Sequence, residues 1–349
     1  MSRPTLKYTI RDIAQHAGVA VSTVSRVINN NDIKIKVSEK TKNRIFDTIR
    51  QFDYSPNINA TRLTRDKTFI IGLEVPASPA NSGTWHAFSD HTLTDSILGI
   101  EECITNTPYK LLILFRNREY MQNKEYLKLF KEKCIDGLIT WGADYLDDYC
   151  SELYKYPVVF INTRPKTTEP YNYIGNDNYK ASYEITEYVI GSGYHKFIYF
   201  EGPQVTSVCI ERKAGFLDAL KKHNIPIAED HIFESGYTST SAYGIMEKIL
   251  QAGKLDFDAV VATTDNMAWG IRNAALAHGK KIPQDFTLTG GGNIDKFGEK
   301  FPLTTFRMDC VAMGKMAFEK LMTEIECGKI EKIQKQLVSE LIIENSKRL

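Results

Sequence analysis

The chain has 349 residues, of which 44 are Lys or Arg and 43 are Asp or Glu, so its formal net charge is +1. A hydrophobic fraction of 42% and a charged fraction of 25% are ordinary for a folded protein and exclude a disordered chain. The sequence contains no run of about 18 apolar residues and no apolar segment near its start, which excludes a membrane-spanning helix and a secretion signal. The length predicts two or three domains.

The near-neutral total hides two segments of opposite charge. Residues 1–67 contain 13 basic and 6 acidic side chains, a net charge of +7, whereas the remainder contains 31 basic and 37 acidic side chains, a net charge of −6. A positively charged segment is suited to a polyanion. The sequence therefore predicts a small polyanion-binding segment followed by a larger, ordinary folded part.

The cysteines and histidines form no metal-binding or disulfide pattern. No CxxC pair occurs, and the seven histidines are dispersed. We expect reduced thiols in a cytoplasmic protein, with neither a zinc site nor any other cofactor. The cysteines are Cys103, Cys134, Cys150, Cys209, Cys310 and Cys327.

Two short helices joined by a glycine turn are predicted first. Thr9 and Asp12 form a Thr-x-x-Asp opening, in which the Thr hydroxyl caps a helix and the acid lies in its first turn. Gly18 ends that helix, as a left-handed glycine commonly does. A second helix spans 22–28. This order is typical of a helix-turn-helix motif.

The second predicted helix has one apolar face and one polar face. Val24, Val27 and Ile28 face inward by their spacing. Short hydroxyl side chains on the other face can approach base edges in a major groove, and an Arg can form two hydrogen bonds with guanine O6 and N7. A small helical bundle with a merely solvated polar face is the alternative. The outer residues are Ser22, Thr23, Ser25 and Arg26.

A third amphipathic helix is predicted from Ser38, its N-cap, to about Phe52. Its apolar spacing predicts that Ile45, Phe46 and Ile49 are buried.

Two separated runs in this segment resemble the DNA-binding headpiece of the LacI/GalR family of bacterial repressors. They are YTIRDIAQHAGVAVSTVSRVINN at 8–30 and YSPNINATRL at 54–63. The resemblance implies that Val21, Ser22 and Arg26 contact bases. It implies phosphate contacts for Thr9, Thr23, Ser25 and Asn29.

Residues 56–63 are too few to form a stable helix alone in water. The resemblance implies that this segment is a hinge helix, two copies of which pair across a dimer axis in the minor groove. Leu63 would then insert between base pairs, with Asn57 and Ala60 also at the DNA. In isolation the same residues would be interpreted as an inert linker.

After Lys67, apolar strand-like runs alternate with amphipathic helices. Alternation of this kind predicts parallel sheets with helices on both faces, here two doubly wound α/β subdomains enclosing a ligand cleft. The strand-like runs are 69–75, 111–115, 137–141, 158–162, 197–200, 259–263 and 286–289. The helical runs are 95–107, 124–133, 179–190, 212–223, 240–252, 267–278 and 311–327.

The family resemblance extends over this part of the chain. Runs such as ERKAGF at 211–216 and ATTDNMAWG at 262–270 resemble the regulatory core of the family, which is similar to periplasmic sugar-binding proteins. The predicted organisation is therefore a small all-α headpiece at 1–56, a hinge and linker at 57–67, and an effector-binding and dimerisation core at 68–349.

The resemblance also implies effector-binding residues. Arg212 matches an Arg that binds ligand oxygens, and its planar fork suits paired hydroxyls or a carboxylate. Tyr237 matches an aromatic residue that packs against the ligand ring. Asp265 matches an Asp near the cleft, although an Asp at a helix start also caps without any ligand.

The chain departs from the family at 290–293, where Gly-Gly-Gly-Asn replaces a run that commonly holds a sugar-binding carboxylate. Asn293 or Asp295 is a candidate replacement for that carboxylate. Trp85 or Asp90 is a candidate at the cleft mouth, and Trp141 is a candidate platform at the end of a strand. Core packing is the alternative for each lone aromatic side chain.

These features predict a cytoplasmic homodimeric repressor of carbohydrate-utilisation genes. It would bind double-stranded operator DNA and respond to a small-molecule effector, most simply a sugar. Control by a non-sugar metabolite or a protein corepressor is an alternative, and a solute receptor or a sugar-processing enzyme are weaker ones. No catalytic motif for hydrolysis or phosphate binding occurs, so the sequence does not predict an enzyme.

Overall fold

A computed structural model describes residues 8–28, 37–55, 67–77, 87–142, 150–294, 302–328 and 331–344. The chain divides into two compact units, Met1–Thr68 and Phe69–Leu349. None of the helices in these ranges is long and apolar enough to cross a membrane.

The first unit contains helices α1 (Ile10–His16), α2 (Val21–Ile28) and α3 (Glu39–Gln51). The predicted cap of α1 is confirmed: Thr9 Oγ1 accepts a hydrogen bond from the backbone N–H of Asp12 at 3.4 Å. The Asp12 carboxylate accepts one from the Thr9 N–H at 2.6 Å in return. Gly18 has a φ of +59°, so it ends α1 in the left-handed conformation predicted for it.

The three helices bury a small apolar core around Ile45, but the prediction that Phe46 is buried was wrong. Phe46 is 44% exposed, and Thr48 is buried instead. One residue corresponds to about 100° of rotation on a helix, so Phe46 lies off the stripe that Ile45, Thr48 and Ile49 form at spacings of three and four.

The second unit alternates strands and helices. Its strands are β1 (Ile70–Pro76), β2 (Lys110–Arg116), β3 (Gly137–Trp141), β4 (Val158–Ile161), β5 (Asn172–Asn176), β6 (Phe197–Glu201), β7 (Ile232–Glu234), β8 (Ala259–Ala262), β9 (Thr287–Thr289), β10 (Thr305–Arg307), β11 (Gln334–Leu337) and β12 (Glu340–Ile342). Its α-helices are α4 (His91–Ile104), α5 (Arg118–Gln122), α6 (Glu125–Lys131), α7 (Cys150–Leu153), α8 (Asn178–Gly191), α9 (Ser207–Lys222), α10 (Ser239–Ala252), α11 (Asp265–Ala277) and α12 (Cys310–Cys327). Short 3₁₀ helices lie at Ala87–Ser89 and Glu229–His231.

Two parallel sheets organise this unit, as the sequence predicts. The larger has the strand order β11-β5-β4-β3-β1-β2, and the smaller has the order β7-β6-β8-β9. Strands β10 and β12 form a separate antiparallel pair. Apolar clusters lie on both faces of each sheet, which confirms the doubly wound α/β architecture.

The chain passes between the two sheets three times, and so defines two subdomains. The first subdomain holds the six-stranded sheet, and the second holds the four-stranded sheet with the β10–β12 pair. The crossing segments are 176–178, 307–310 and 337–340, because α12 packs on the first sheet while β12 pairs with β10. The cleft described below lies where these subdomains face each other.

Helices α4 and α12 pack closely together on one face of the larger sheet. A Cβ atom added at Gly99 would lie 2.0 Å from the carbonyl oxygen of Val311, and one added at Gly314 would lie 2.0 Å from that of Ser96. Only glycine therefore fits at either position. These contacts lie in the middle of α4, whose N-terminal residues supply part of the cleft wall.

Candidate functional site

The polar face of α2 is open to solvent. Val21 and Ser22 are exposed, and Thr23, Ser25 and Arg26 are partly exposed, whereas Val24 and Val27 are buried against α1 and α3. Within the described ranges the Arg26 guanidinium has no hydrogen-bond or ion-pair partner, and so it is free to meet a ligand in front of the helix. Thr9, at the start of α1, is also exposed.

Four other candidates for DNA contact, Asn29, Asn57, Ala60 and Leu63, lie outside the described residues, as do the cleft candidates Trp85 and Asp295.

A cleft with a volume of about 170 Å³ lies between the two subdomains of the second unit. Its walls are carboxyl ends of strands and first turns of helices, as expected for facing α/β sheets. From the first subdomain it is lined by Pro76, Asp90, His91, Thr92, Trp141, Gly142, Asn162 and Thr163. From the second it is lined by Thr206, Val208, Arg212, Tyr237, Thr264, Asn266, Gly291, Ile294 and Met308.

Arg212 lines the cleft with a side chain that is held in place from behind. Its Nε donates to Asn178 Oδ1 at 2.9 Å, and its Nη1 donates to the carbonyl oxygen of Thr263 at 2.7 Å. Its Nη2 lies 3.4 Å from Met308 Sδ, and the guanidinium carbon lies 5.0 Å from the centre of the Phe306 ring. These contacts hold the guanidinium in one orientation at the cleft wall.

Tyr237 presents its ring to the cleft and directs its hydroxyl into the second subdomain. The hydroxyl is within hydrogen-bond distance of Thr206 Oγ1, at 3.2 Å, and of Cys209 Sγ. Burial raises the pKa of the Tyr237 hydroxyl well above its usual value, so it stays protonated. Gly202 makes room for the ring, since a Cβ atom there would lie 2.6 Å from Tyr237 Cε1.

Trp141 and Asp90 also line the cleft, from the first subdomain. Trp141 is 3% exposed at the carboxyl end of β3, and its indole N–H has no hydrogen-bond partner in the described structure. Asp90 is the N-cap of α4, where its Oδ1 accepts from the N–H of Thr92 at 2.9 Å and from its hydroxyl at 2.8 Å.

Asp265 and Asn293 lie next to the cleft but do not line it. Thr264 caps α11, and both carboxylate oxygens of Asp265 accept hydrogen bonds, from the Thr305 hydroxyl and the Ile294 N–H, at 2.7 Å each. Burial raises the pKa of the Asp265 carboxyl. Asp265 therefore holds the 291–294 loop in place through its hydrogen bond to Ile294. Asn293, in the same loop, is exposed and has a φ of +54°.

Several cleft residues were missed by the sequence reasoning. They are small polar side chains at strand ends and helix starts, positions that the predicted architecture marks as cleft edges without singling out side chains. His91 is an example, because its ring lies 3.1 Å from the position of a Cβ atom at Gly292, within the departing Gly-Gly-Gly run. The polar ones are His91, Thr92, Asn162, Thr163, Thr206, Thr264 and Asn266.

The residues described contain no group of three His, Cys, Asp or Glu side chains able to hold a metal ion. Cys103, Cys134, Cys209, Cys310 and Cys327 are free thiols.

Comparison with known families assigns both units. Residues 9–57 match the family model "Bacterial regulatory proteins, lacI family". Residues 87–342 match "Periplasmic binding proteins and sugar binding domain of LacI family", which covers most of the chain. The chain belongs to the LacI family. It is therefore a DNA-binding transcriptional repressor with a helix-turn-helix headpiece and a periplasmic-binding-protein-like core.

Curated relatives agree with this assignment. The "HTH-type transcriptional repressor PurR" of Vibrio parahaemolyticus is 28% identical over 343 residues, covering 97% of this chain and 98% of its own. The "Probable HTH-type transcriptional repressor ExuR" of Bacillus subtilis is 31% identical over 289 residues, covering 82% of each chain. These LacI-family relatives are repressors rather than enzymes, in agreement with the absence of a catalytic motif from the sequence.

Solved structures share the fold. The lac repressor dimer bound to operator and the anti-inducer ONPF has a TM-score of 0.82 at 21% identity, covering 97% of this chain and 98% of the other. The complex of the transcriptional regulator CelR with cellobiose has a TM-score of 0.70 at 23% identity, covering 99% of this chain and 100% of the other.

Proposed function

We propose that this LacI-family repressor acts in the cytoplasm as a homodimer and is released from or recruited to its operator by a small carbohydrate bound in the cleft. The observation that carries the proposal is the composition of the cleft. A fixed guanidinium, two aromatic rings and several hydroxyl and amide side chains surround a space of about 170 Å³. A ring with many hydroxyl groups suits such a lining, because apolar faces and polar edges are both satisfied.

The family match supports a sugar, because its description names a sugar binding domain, and the structurally similar CelR was solved with cellobiose. The size of the cleft supports a small one. Its volume of about 170 Å³ is below the roughly 300 Å³ or more of pockets that hold drug-sized ligands.

We assign the three proposed functions to three consecutive segments of the chain. Residues 1–56 bind DNA, 57–67 form the hinge, and 68–349 bind the effector and dimerise. We assign base contacts to Val21, Ser22 and Arg26, whose side of α2 is polar and solvent-accessible. The proposed backbone and minor-groove contacts are Thr9, Thr23, Ser25, Asn29, Asn57, Ala60 and Leu63.

An apolar edge of the larger sheet supports a dimer. Strand β2 ends the sheet, and its Leu112, Ile113 and Phe115 are exposed. Phe88 packs edge-on against Phe115, with ring centres 6.2 Å apart, and is itself exposed. Natural proteins rarely leave an apolar edge strand uncovered. A second copy of the chain is the occupant that we propose.

Effector control follows from the two-sided cleft. A ligand that contacts both subdomains binds most tightly when they are at one particular separation, and so shifts the population toward that state. By linkage, a ligand that binds the DNA-free state more tightly weakens operator binding, and one that prefers the bound state strengthens it.

Calorimetric titration of the full chain with a panel of neutral and acidic monosaccharides tests the proposal. At least one member should bind, and Asn266→Ala should weaken that binding roughly fivefold, since a lost ligand hydrogen bond is worth about 1 kcal/mol. Asn266 lines the cleft at the start of α11.

The matched control is Asn273→Ala, the same change at an exposed position of the same helix, which should leave binding unchanged. If no sugar in the panel binds, the carbohydrate part of the proposal is wrong. If both variants bind equally well, the sugar does not occupy this cleft.

A further inference from the structure

Arg212 is a buried cation that forms no close ion pair with a described residue. It is only 4% exposed, and no carboxylate of the described residues lies within ion-pair distance of its guanidinium. Glu211 and Asp265 attract the guanidinium at longer range, but the close contacts of the nearby acids are with other groups. Glu201 pairs with Lys213 at 3.0 Å and Glu211 pairs with Arg164 at 3.3 Å, while Asp265 accepts hydrogen bonds at both of its oxygens.

The partners that Arg212 has are neutral. An amide oxygen, a carbonyl oxygen and a thioether sulfur receive three of its five N–H donors, and an aromatic ring lies against its face. A buried charge is costly unless an opposite charge accompanies it. The two remaining N–H groups belong to the two terminal nitrogens, so an anion in the cleft would complete their hydrogen bonding and give the guanidinium a directly paired charge.

Two further buried polar groups on the cleft wall have no partner in the described structure. These are the indole Nε1–H of Trp141 and the Oγ1 of Thr163, both in side chains that are 3% exposed. Buried donors normally have hydrogen-bond partners, and unsatisfied ones near a cavity indicate a missing ligand or water. Both groups can donate to an oxygen anion.

Three helix N-termini add a positive field to the same space. Helices α4, α9 and α11 each place first-turn residues on the cleft wall, and all three are longer than three turns. The N-terminal end of a helix carries about half a positive charge, which favours anions.

One carboxylate, that of Asp90, does line the cleft, and it limits the ligand further. Its Oδ1 is used as the cap of α4, and its Oδ2 accepts no hydrogen bond from the residues described. A carboxylate oxygen repels another anion but accepts readily from a hydroxyl. The ligand that fits therefore has an anionic end at Arg212 and a hydroxyl-bearing end toward Asp90.

We infer that the effector is a small polyhydroxy carboxylate, such as a sugar acid, whose carboxylate pairs with Arg212. The planar fork of an Arg matches the two oxygens of a carboxylate. A phosphate monoester carries a charge of about −1.5 to −2, more than the single free guanidinium balances. This inference rests on the proposed function, because it takes the cleft to be the effector site.

Isosteric ligand pairs test the charge separately from the sugar ring. The unaltered full-length protein is titrated calorimetrically with D-glucuronate against D-glucuronamide, and with D-galacturonate against D-galacturonamide. Glucose, galactose and glucose 6-phosphate complete the set. For at least one pair, the acid should bind roughly 10- to 100-fold more tightly than its amide, as expected for a charge-assisted pair.

Two charge-neutralising variants on α9 assign the preference to one side chain. Arg212→Gln should bind acid and amide equally, whereas Lys213→Gln, which neutralises the neighbouring charge that pairs with Glu201, should retain the preference. Thermal unfolding monitors whether each variant folds. The comparison of ligand pairs on the unaltered protein stands even if Arg212→Gln does not fold.

The outcomes separate this inference from the proposed function. If a neutral sugar or an amide binds as tightly as its acid, the inference is overturned while the sugar-binding cleft stands. Tighter binding of glucose 6-phosphate than of glucuronate would overturn the carboxylate assignment in favour of a phosphate. If none of these ligands binds, both the sugar-acid inference and the carbohydrate proposal fail.

Discussion

Among single residues, Arg26 is the side chain on which we expect base recognition to depend most. It lies on the polar face of α2, one turn after Ser22, and has no partner in the described structure. After the preferred site has been selected from randomised DNA, Arg26→Ala should cost about 1–3 kcal/mol at that site and relax the preference at one or two base pairs. Fluorescence anisotropy on the selected site and its single-base variants measures both effects.

The control for Arg26 is Arg50→Ala, which also removes one positive charge from the headpiece. Arg50 is exposed on α3 and pairs with Asp47 at 2.5 Å. It should change affinity slightly and equally on all DNA, because it contributes only through the general field. Equal weakening by Arg26→Ala on selected and unrelated DNA would mean that Arg26 contacts phosphate rather than bases.

Asp265 shows what a residue-level interpretation can miss. Its position at the start of a helix suggested either a cap or a ligand contact, and the structure gives it a different task. Its carboxylate holds residues 29 and 40 positions further along the chain, Ile294 and Thr305. Partners at such separations are not encoded in local spacing. The neighbouring Thr264 is the cap.

Among the secondary-structure elements, the crossing of α4 and α12 depends on two glycines that face carbonyl oxygens. Gly314→Ala should destabilise the core by about 1–3 kcal/mol or more, because the added methyl group meets backbone rather than a movable side chain. A lower thermal midpoint, followed by circular dichroism, is the expected observation.

Gly244→Ala is the matched control for that substitution. Gly244 is also helical, in α10, but a Cβ atom added there meets nothing within 4 Å. It should stabilise the protein by about 0.5–1 kcal/mol, because alanine restricts the unfolded chain and favours the helix. An unchanged midpoint for Gly314→Ala would show that α4 and α12 can move apart at little cost.

The long amphipathic helices and apolar strands were predictable because their periodicity is local. Strand β11, with the sequence QKQL, was not, since it has no apolar alternation and becomes a strand only by pairing with β5. The sequence pattern predicted that α4 begins at residue 95, whereas the helix begins at His91. Its first residues, His91 and Thr92, follow the N-cap Asp90 and are not part of an apolar repeat.

For the whole molecule, the exposed edge of β2 decides the predicted assembly. Phe115 is 53% exposed, and a charge there should be incompatible with a buried interface between two copies. Phe115→Asp should therefore convert the proposed dimer to a monomer in sedimentation velocity at micromolar concentration. Operator affinity should fall with it, since two headpieces then no longer bind together.

Val338→Asp is the control for the assembly, because Val338 is 68% exposed and lies apart from β2. It should leave the sedimentation coefficient unchanged. A dimer that survives Phe115→Asp would place the interface on another surface.

The sequence by itself determined the family, the helix-turn-helix, the two doubly wound sheets and the position of Arg212, because these depend on local periodicity and on motifs a few residues long. The tertiary structure alone decided which polar groups line the cleft and which form hydrogen bonds that hold its walls together. Arg212 has no carboxylate within ion-pair distance, whereas both carboxylate oxygens of Asp265 accept hydrogen bonds. Both results arise because segments distant in sequence meet at the cleft. Charge balance in a cleft depends on such long-range contacts, and so it becomes visible only in the folded chain.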